Sequence, residues 1–520
     1  TFPVLQGSAA TVCLFPSSLP GHGRLMSVSV PIHQPSAAAV ERCLLLGLCG
    51  AGMTNLCQLL LARGQQVTGS DTDSHLLQTF AVAVPSQRQV TTVDWTELYS
   101  LDFRQYSRVI RSLAVPADLP IFKIAVQSGC RIQTLPEALA DCCRGTPQYC
   151  VAGTHGKTTT SGMLWWLLQH SGRRTGRYVG GDFQLPRQPE HISGPAEMVL
   201  ESCEYRDSFL TLSPDLAILT GIEPDHLDWF ADTRSMLSSY TRFLSGLSDR
   251  GGVIVNAACR NACTAVRGAN RRTVAVVPRD AGSGAGFVEY WEYSPAGSRS
   301  HFSRANGGLP GQQVLLRHSS GEELLLRLPL PGRHNMLNAA MALAAGCELG
   351  LSPAAAARGL ADFPGMQRRL EFRGTWRGAD LFDDYAHHPT AASAVLSTLA
   401  SCFPGRRIVG VFEPHQCSRL RGLMSEFSEA LRLADELYVL PALRIRESAS
   451  AEESAALSGE LVQLIRNLGG RAKLVSDLDR VTGILDDAVR PGDIVITMGA
   501  GRTNTIHDQI IRRIQRDSAA

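Results

Sequence analysis

The sequence lacks any apolar run that approaches the roughly 20 residues of a membrane-spanning helix. Its first segment, residues 1–38, is rich in Pro, Ser, Gly and Ala, and it lacks the basic start and continuous apolar stretch of a signal peptide. We therefore predict a flexible N-terminal extension over 1–38, no insertion into a membrane, and a cytoplasmic location.

The sequence also lacks a strong excess of charge of either sign, with 50 Lys and Arg against 48 Asp and Glu and a formal net charge of +2. A nearly neutral chain is not attracted broadly to nucleic acid, so any phosphate binding must be local. The fourteen cysteines include no Cys-x-x-Cys pair. This spacing favours reduced and mostly buried thiols over a zinc site or a disulfide framework.

Three blocks in which short apolar runs alternate with helix-compatible stretches follow the extension. This alternation predicts an α/β fold with parallel sheets. We expect a Rossmann-like domain at 39–147, a central P-loop domain at 148–364, and a second Rossmann-like domain at 365–520. The stretch 281–311 is full of Gly, Ser and Ala, and it predicts loop or edge structure.

In the first block, an apolar run beginning at Cys43 leads into a glycine turn at 47–52, a helix-compatible stretch, and a second strand that ends at Asp71. This order is typical of a nucleotide-binding βαβ unit. The spacing Gly-x-x-Gly-x-Gly differs from the dehydrogenase fingerprint, and a turn needed only for packing stays open as an alternative. Residues 108–112 predict a later strand of the same sheet.

The central block opens with an apolar strand that runs into Gly-Thr-His-Gly-Lys-Thr-Thr at 153–159 and then into a helix. The backbone N–H groups of such a loop, together with the helix N-terminus, bind phosphate oxygens. Lys157 is placed to contact the β- and γ-phosphates of ATP, and the Thr158 hydroxyl to bind Mg²⁺. The predicted ATP-binding residues of the loop are Gly153, Thr154, His155, Gly156, Lys157, Thr158 and Thr159.

Glu201 and His226 follow two further strand candidates of the central block. Because ligands gather at the carboxyl ends of parallel strands, we expect both side chains to converge on the phosphate loop. We predict Lys157, Glu201 and His226 as catalytic, and Thr158, Glu201 and His226 as metal ligands. Oxygen donors suit Mg²⁺; a histidine is a less usual ligand, so a packed polar role stays open for His226.

The third block contains Tyr385, the pair His387-His388, and Arg419, each after a strand candidate. Adjacent histidines on an extended segment point in opposite directions, so we expect polar substrate contacts rather than a chelating pair. Arg419 suits an anionic group. A structural role is the alternative for both segments.

Taken together, from about residue 42 to the C-terminus, these segments resemble the Mur ligases of peptidoglycan synthesis. The loop at 153–159 is complete, and 332–338 matches the Gly-x-His-Asn-x-x-Asn segment beside adenine in that family. Residues 367–372 resemble the arginine-bearing start of its third domain. Residues 383–389 resemble the Asp-Asp-Tyr-Gly-His-His-Pro of its alanine-adding members.

The resemblance implies a three-domain α/β ligase that uses ATP to join L-alanine to the carboxylate of UDP-N-acetylmuramate through an acyl phosphate, with Mg²⁺ as cofactor. It implies small-molecule partners only, in a monomer or weak homodimer. The further site residues that it implies are Asn335, Asn338 and Arg369 for ATP, Gly50, Gly52, Met53, Asp71 and Ser112 for the UDP-sugar, and Tyr385, His387, His388 and Arg419 for the amino acid.

Two segments depart from the family pattern. Glu-Ala-Asp-Glu-Ser-Asp is Glu-Ser-Cys-Glu-Tyr-Arg at 201–206, and Pro-His-Arg-Tyr-Ser-Arg is Pro-His-Gln-Cys-Ser-Arg at 414–419. The alternatives are a ligase that recycles murein tripeptide or takes another amino acid, a P-loop NTPase of other purpose, and a nucleotide-sugar-binding regulator without catalysis.

Overall fold

The computed structural model describes residues 41–83, 90–226, 228–281, 286–296, 309–444 and 447–519. Their strands form three sheets, and each sheet is flanked by helices, which confirms the predicted three-domain α/β fold. The extension predicted at 1–38 lies outside the described residues. Within them, no helix has the length and apolar character that crossing a membrane requires.

The first sheet is parallel throughout. Its strands are β1 (Arg42–Leu46), β2 (Gln66–Ser70), β3 (Val90–Thr92), β4 (Arg108–Arg111) and β5 (Arg131–Thr134), and its helices are α1 (Ala51–Ala62), α2 (Ser74–Ala83), α3 (Pro120–Gln127) and α4 (Leu135–Cys143). The strand order is β3-β2-β1-β4-β5. The predicted βαβ unit is confirmed, since α1 links β1 to its parallel neighbour β2 and Asp71 directly follows β2.

The second sheet has nine strands and carries the phosphate loop. The strands are β6 (Gln148–Ala152), β7 (Thr175–Tyr178), β8 (Glu197–Glu201), β9 (Leu216–Leu219), β10 (Gly252–Asn256), β11 (Thr273–Pro278), β12 (Glu289–Pro295), β13 (Gln312–His318) and β14 (Glu323–Leu328). The helices are α5 (Lys157–His170), α6 (Thr233–Ser245), α7 (Arg260–Ala269), α8 (Arg333–Glu348) and α9 (Pro353–Ala361). The order β14-β13-β12-β11-β10-β9-β6-β8-β7 places β6 between β8 and β9, both parallel to it.

Strand β12 corrects the expectation of loop or edge structure at 281–311. It pairs with β11 in parallel and with β13 in antiparallel orientation, so it lies inside the sheet. The side chains of Trp291 and Tyr293 are buried in the core beneath it. These two aromatic residues anchor the strand, although the composition around them is typical of a loop.

The third sheet consists of β15 (Glu371–Trp376), β16 (Ala379–Asp384), β17 (Ile408–Glu413), β18 (Glu436–Val439), β19 (Ala472–Leu474) and β20 (Ile494–Gly499). Its helices are α10 (Pro389–Cys402), α11 (Cys417–Gly422), α12 (Met424–Leu431), α13 (Ala451–Asn467), α14 (Leu478–Ala488) and α15 (Thr505–Ala519). The order is β15-β16-β20-β17-β18-β19, and only the pair β15–β16 is antiparallel.

Small residues hold the phosphate-loop helix α5 in a fixed position. The alanine-rich helix α8 is buried along almost its whole length and packs against α5. A β-carbon on Gly346 of α8 would lie 2.8 Å from the Leu167 side chain, and one on Gly359 of α9 would lie 3.1 Å from the Leu167 Cα. The close approach of three helices fixes where the N-terminus of α5 lies.

His507 on α15 gives a test of how the third domain is packed. Its ring is fully buried, Nε2 lies 2.7 Å from the Thr497 hydroxyl, and Nδ1 has no hydrogen-bond partner among the described residues. Burial lowers the pKa of His507 to about 3. The unfolded chain therefore binds a proton at this imidazole near pH 6.5, and the folded chain does not.

We predict that His507→Gln flattens the pH dependence of folding stability. Between about pH 7.5 and 5.5 the free energy of unfolding of the wild type should fall by about 1.4 kcal/mol more than that of the variant, because only the wild type gains this proton on unfolding. Urea unfolding at the two pH values measures the difference. Equal pH dependence in both proteins would contradict the lowered value, because it would show that His507 has the same pKa in the folded and unfolded chains.

Candidate active site

The phosphate loop lies between β6 and α5, and two of its glycines adopt backbone conformations that favour glycine. Gly153 has φ +133° and Gly156 has φ +78°. A β-carbon on Gly156 would lie 2.5 Å from the Asn338 Oδ1, and one on Gly153 would lie 2.7 Å from the Gly221 carbonyl oxygen. Both positions therefore exclude any larger residue. The loop leads directly into the N-terminus of α5, as phosphate binding requires.

Lys157, the first residue of α5, is held by a carboxylate that the sequence analysis did not single out. Its Nζ donates to both carboxylate oxygens of Glu204, at 3.1 and 3.2 Å, and also to the Gly153 carbonyl. Glu204 is almost fully buried. Burial favours the neutral amine, but the neighbouring carboxylates outweigh it and raise the pKa of Lys157 above its ordinary value. Lys157 is a fixed positive charge.

Thr158 and Glu201 lie side by side, as predicted. The Thr158 hydroxyl donates to Glu201 Oε1 at 2.9 Å, and Glu201 Oε2 accepts the backbone N–H of Gly180 at 2.6 Å. From the third domain, Arg369 Nη2 donates to the Thr158 hydroxyl at 3.1 Å. The hydroxyl and carboxylate oxygens are donors that suit Mg²⁺. A domain that follows in sequence thus reaches the phosphate loop directly.

His226 lies on the loop after β9, and its imidazole approaches Glu204, the carboxylate that holds Lys157. Its backbone has φ +53°, and its N–H donates to its neighbour, Asp225 Oδ1, at 2.7 Å. The ring packs on Tyr205, with centroids 4.8 Å apart, and Nε2 lies 3.7 Å from Glu204 Oε1. Glu204 therefore stands between Lys157 and His226. The left-handed backbone is the strained feature that aims this imidazole into the site.

Arg419 and Asp225 form a buried ion pair between the third and second sheets. Arg419 Nη2 and Nε both donate to Asp225 Oδ1, at 2.6 and 3.1 Å. Burial opposes ionisation of Asp225, but His226 and Arg419 hold its pKa far below the ordinary range. The pair fixes the third domain beside the loop that carries His226.

Tyr385 and His387 complete the wall on the side of the third domain. The Arg369 guanidinium lies over the Tyr385 ring at 5.1 Å from its centroid. His387 Nδ1 lies 2.8 Å from the Tyr385 carbonyl oxygen. A carbonyl can only accept, so Nδ1 carries the proton and Nε2 is the acceptor. Burial lowers the pKa of His387 well below its ordinary value, and the ring is neutral.

The predicted adenine-side residues Asn335 and Asn338 lie on the first turns of α8, behind the phosphate loop. The Asn338 amide donates to Asn335 Oδ1 at 3.3 Å, and the Asn335 amide donates to the Pro331 carbonyl at 2.8 Å. Both are buried. Asn338 Oδ1 accepts the Thr160 hydroxyl at 3.3 Å and lies against Gly156, which brings α8 to the loop.

A cavity of about 380 Å³ between the second and third sheets joins most of these groups. The predicted residues that line it are Thr154, His155, Gly156, Lys157, Thr158, Thr159, Glu201, His226, Asn335, Asn338, Arg369, Tyr385, His387 and His388. Gly153 and Arg419 do not line the cavity. Each contacts a residue that does: Gly153 accepts from Lys157, and Arg419 donates to Asp225. The cavity brings together groups that lie more than 200 residues apart in the chain.

The residues predicted to bind a UDP-sugar surround the turn between β1 and α1 in the first domain. Asp71 Oδ2 accepts the Cys49 N–H at 2.9 Å, and Gly50 caps α1. Ser112 follows β4 and approaches the turn so closely that a β-carbon on Gly47 would lie 2.9 Å from its own. Gly52 and Met53 lie in the first turn of α1, where the Met53 side chain is buried in the core. These residues do not line the cavity beside Lys157.

Three family models match the chain in sequence order. They are the Mur ligase family catalytic domain at residues 44–146, the Mur ligase middle domain at 151–346, and the Mur ligase glutamate ligase domain at 368–501. The chain belongs to the Mur ligase family. Each matched segment contains one of the three sheets or most of it.

This Mur ligase is similar to curated proteins over most of its length. It is 34% identical over 491 residues to the UDP-N-acetylmuramate–L-alanine ligase of Kineococcus radiotolerans, covering 92% of this chain and 98% of that protein. It is also 34% identical over 494 residues to the ligase of the same name from Saccharopolyspora erythraea, covering 94% and 96%.

Solved structures share the fold of this Mur ligase. A UDP-N-acetylmuramate-alanine ligase from Thermotoga maritima superimposes with a TM-score of 0.73 at 22% identity, over 92% of this chain and 99% of that one. A murein peptide ligase from Psychrobacter arcticus gives a TM-score of 0.66 at 22% identity, over 91% and 98%.

We predict that Glu204→Gln destabilises this Mur ligase by about 3 kcal/mol, because Lys157 would remain charged in a buried site without its carboxylate partner. Urea unfolding at neutral pH measures the loss. Glu190→Gln is the matched control, since Glu190 pairs with Arg187 at the exposed surface and its loss should change stability by less than about 0.5 kcal/mol. Equal effects of the two substitutions would contradict the assigned role of Glu204.

Proposed function

We propose that this Mur ligase uses ATP to join L-alanine to the lactyl carboxylate of UDP-N-acetylmuramate, with release of ADP and phosphate in peptidoglycan precursor synthesis. The observation that carries the proposal is the shared cavity, which places Lys157, Thr158 and Glu201 opposite Tyr385 and His387. A phosphate loop alone serves many NTPases. A third domain that reaches the loop suits the transfer of an activated group to a second substrate.

In the first step, a carboxylate oxygen of the sugar attacks the γ-phosphorus of ATP and ADP leaves, which gives an acyl phosphate. Charge on the moving phosphoryl group must be offset by fixed cations. Lys157 suits this role because Glu204 and the Gly153 carbonyl hold its ammonium group in place. Arg369 is a second cation, 3.1 Å from the Thr158 hydroxyl.

Mg²⁺ fits the oxygen donors beside the phosphate loop. We propose Thr158 and Glu201 as ligands of one ion and His226 as a ligand of a second one near the carboxylate. The hydroxyl and carboxylate oxygens, 2.9 Å apart, offer the hard donors that this ion prefers. When bound, Mg²⁺ would neutralise part of the phosphate charge.

In the second step, the amine of L-alanine attacks the acyl carbon to form a tetrahedral intermediate. Its C–O bond to the phosphate then breaks, and the departing phosphate takes up the proton that the amine gives up. The attacking amine must be held with its lone pair directed at that carbon. We propose that His387 positions it, because the neutral ring presents Nε2 as an acceptor. We propose that Tyr385 and Arg419 position the amino acid. Arg419 does so indirectly, because it fixes Asp225 in the wall of the cavity.

The UDP end of the sugar is proposed to bind at the β1–α1 turn of the first domain. One hydrogen bond links the first domain, near this turn, to the segment that carries Glu204. Arg206, which follows Glu204 by two residues, donates from Nη1 to the Leu113 carbonyl at 3.2 Å. Leu113 directly follows the predicted UDP-sugar residue Ser112. A cytoplasmic location and a monomer or weak homodimer stay predictions.

The recycling of murein tripeptide is the alternative within the same family. The Psychrobacter arcticus neighbour is named a murein peptide ligase, but the relatives that are 34% identical are named UDP-N-acetylmuramate–L-alanine ligases. Gln416 and Cys417 stand where the family pattern has Arg and Tyr, and they lie two or three residues before Arg419, which is proposed to position the amino acid. Selectivity is therefore the property to test.

We predict that purified protein with ATP, Mg²⁺ and UDP-N-acetylmuramate releases phosphate at least tenfold faster with L-alanine than with glycine, L-serine or L-alanyl-γ-D-glutamyl-diaminopimelate. Lys157→Ala should lower kcat/KM by about 100-fold or more, because it removes the fixed cation at the phosphoryl group. A coupled phosphate-release assay measures both.

Lys123→Ala is the matched control, since Lys123 lies on the exposed face of α3 and should leave the rate unchanged. A higher rate with the tripeptide would assign the recycling activity. Phosphate release that does not depend on UDP-sugar and amino acid would indicate an NTPase of other purpose.

A further inference from the structure

A cluster of two histidines and one glutamate lies on the wall of the cavity, beside the groups that suit Mg²⁺. His155, Glu223 and His388 each offer one ligand atom, and these atoms all lie within 4.8 Å of one another. His155 Nε2 is 3.3 Å from Glu223 Oε2, and His388 Nδ1 is 4.0 Å from the same oxygen. The two imidazole rings have centroids 4.5 Å apart.

The cluster joins two domains. His155 belongs to the phosphate loop, Glu223 to the loop after β9, and His388 to the turn that caps α10 in the third domain. Polar substrate contacts stay a prediction for His387 and His388. In addition, His388 lies beside a histidine and a carboxylate that belong to the second domain.

Two observations distinguish this cluster from an ordinary polar contact. His388 is only 5% exposed, its Nδ1 accepts the Thr390 N–H at 3.4 Å, and its Nε2, the nitrogen left to bind a metal, is buried without a hydrogen-bond partner among the described residues. A buried imidazole nitrogen without a partner is costly. Glu223 is oriented by the Thr390 hydroxyl, which donates to Oε2 at 2.7 Å. A hydrogen bond that orients a carboxylate ligand is a common feature of metal sites.

The chemistry of the donors selects the kind of ion. Two imidazoles and one carboxylate with an open fourth position form a set that binds Zn²⁺ and related borderline divalent ions, whereas Mg²⁺ prefers oxygen donors. Ligand atoms about 2.0–2.1 Å from a tetrahedral zinc ion lie about 3.4 Å from one another. His155 Nε2 and Glu223 Oε2 already lie at this spacing, 3.3 Å apart, and the widest separation in the cluster, at most 4.8 Å, must contract by at most about 1.4 Å.

We propose that His155, Glu223 and His388 bind one Zn²⁺ ion, separate from the Mg²⁺ ligands Thr158 and Glu201, and that this ion links the phosphate loop to α10. All three residues line the cavity. The proposal concerns binding of the metal alone, and its test needs neither ATP nor the UDP-sugar, so it does not depend on the proposed ligase activity.

The test is a titration of metal-free full-length protein with Zn²⁺ in competition with a chromophoric chelator. We expect one tight zinc equivalent per chain that is weakened about tenfold or more in His388→Gln and in Glu223→Gln, because each removes one of three ligands. His170→Gln is the matched control, since His170 ends α5 outside the cluster, and it should bind as the wild type does. Equal zinc binding in all four proteins would overturn the proposal.

Cobalt substitution of the wild-type protein provides a second measurement that does not depend on how the variants fold. Co²⁺ bound by two imidazoles and a carboxylate in a tetrahedral site should show intense visible d–d bands without a thiolate charge-transfer band. A thiolate band, or a weak octahedral spectrum, would place the ion elsewhere and contradict the assignment. The fourteen cysteines make this distinction necessary.

Discussion

Lys157 carries a permanent positive charge into a cleft between two domains, and the Glu204 carboxylate is the group that keeps it there. An unpaired ammonium group in this position would be strongly destabilising. With Glu204 in place, the ammonium group is fixed 3.1 Å from an acid that also faces His226. In the proposed reaction, a charge that is fixed before any substrate binds can offset the charge on the moving phosphoryl group without reorganisation.

The geometry of parallel strands explains why the site forms on this edge of the second sheet. Strand β6 lies between β8 and β9, so the phosphate loop, Glu201 and the loop carrying His226 all leave from neighbouring carboxyl ends. The third domain closes the opposite side through two cations, Arg369 at Thr158 and Arg419 at Asp225. A cleft closed by charged groups from two domains is suited to exclude water from an activated carboxyl group.

The sequence was sufficient for features that depend on a contiguous segment, and insufficient for features that depend on how the domains meet. The phosphate loop and the βαβ unit were predictable because strand, turn and helix follow one another in the chain. The contacts of Arg419 with Asp225 and of Thr390 with Glu223 join residues 194 and 167 positions apart. The position of Glu204, three residues after β8, could have indicated a site residue. Its pairing with Lys157 was not predictable, because it depends on the backbone turn after Glu201. At β12 the composition of the surrounding stretch predicted a loop, although buried aromatic residues anchor a strand there.

The most direct measurement follows one oxygen atom. UDP-N-acetylmuramate labelled with ¹⁸O in its carboxylate is incubated with the protein, ATP, Mg²⁺ and L-alanine, and the released phosphate is analysed by mass spectrometry. If the carboxylate attacks the γ-phosphorus, the oxygen that bridges carbon and phosphorus leaves with the phosphate, and each phosphate carries one label. Phosphate without ¹⁸O would contradict an acyl phosphate formed beside Lys157.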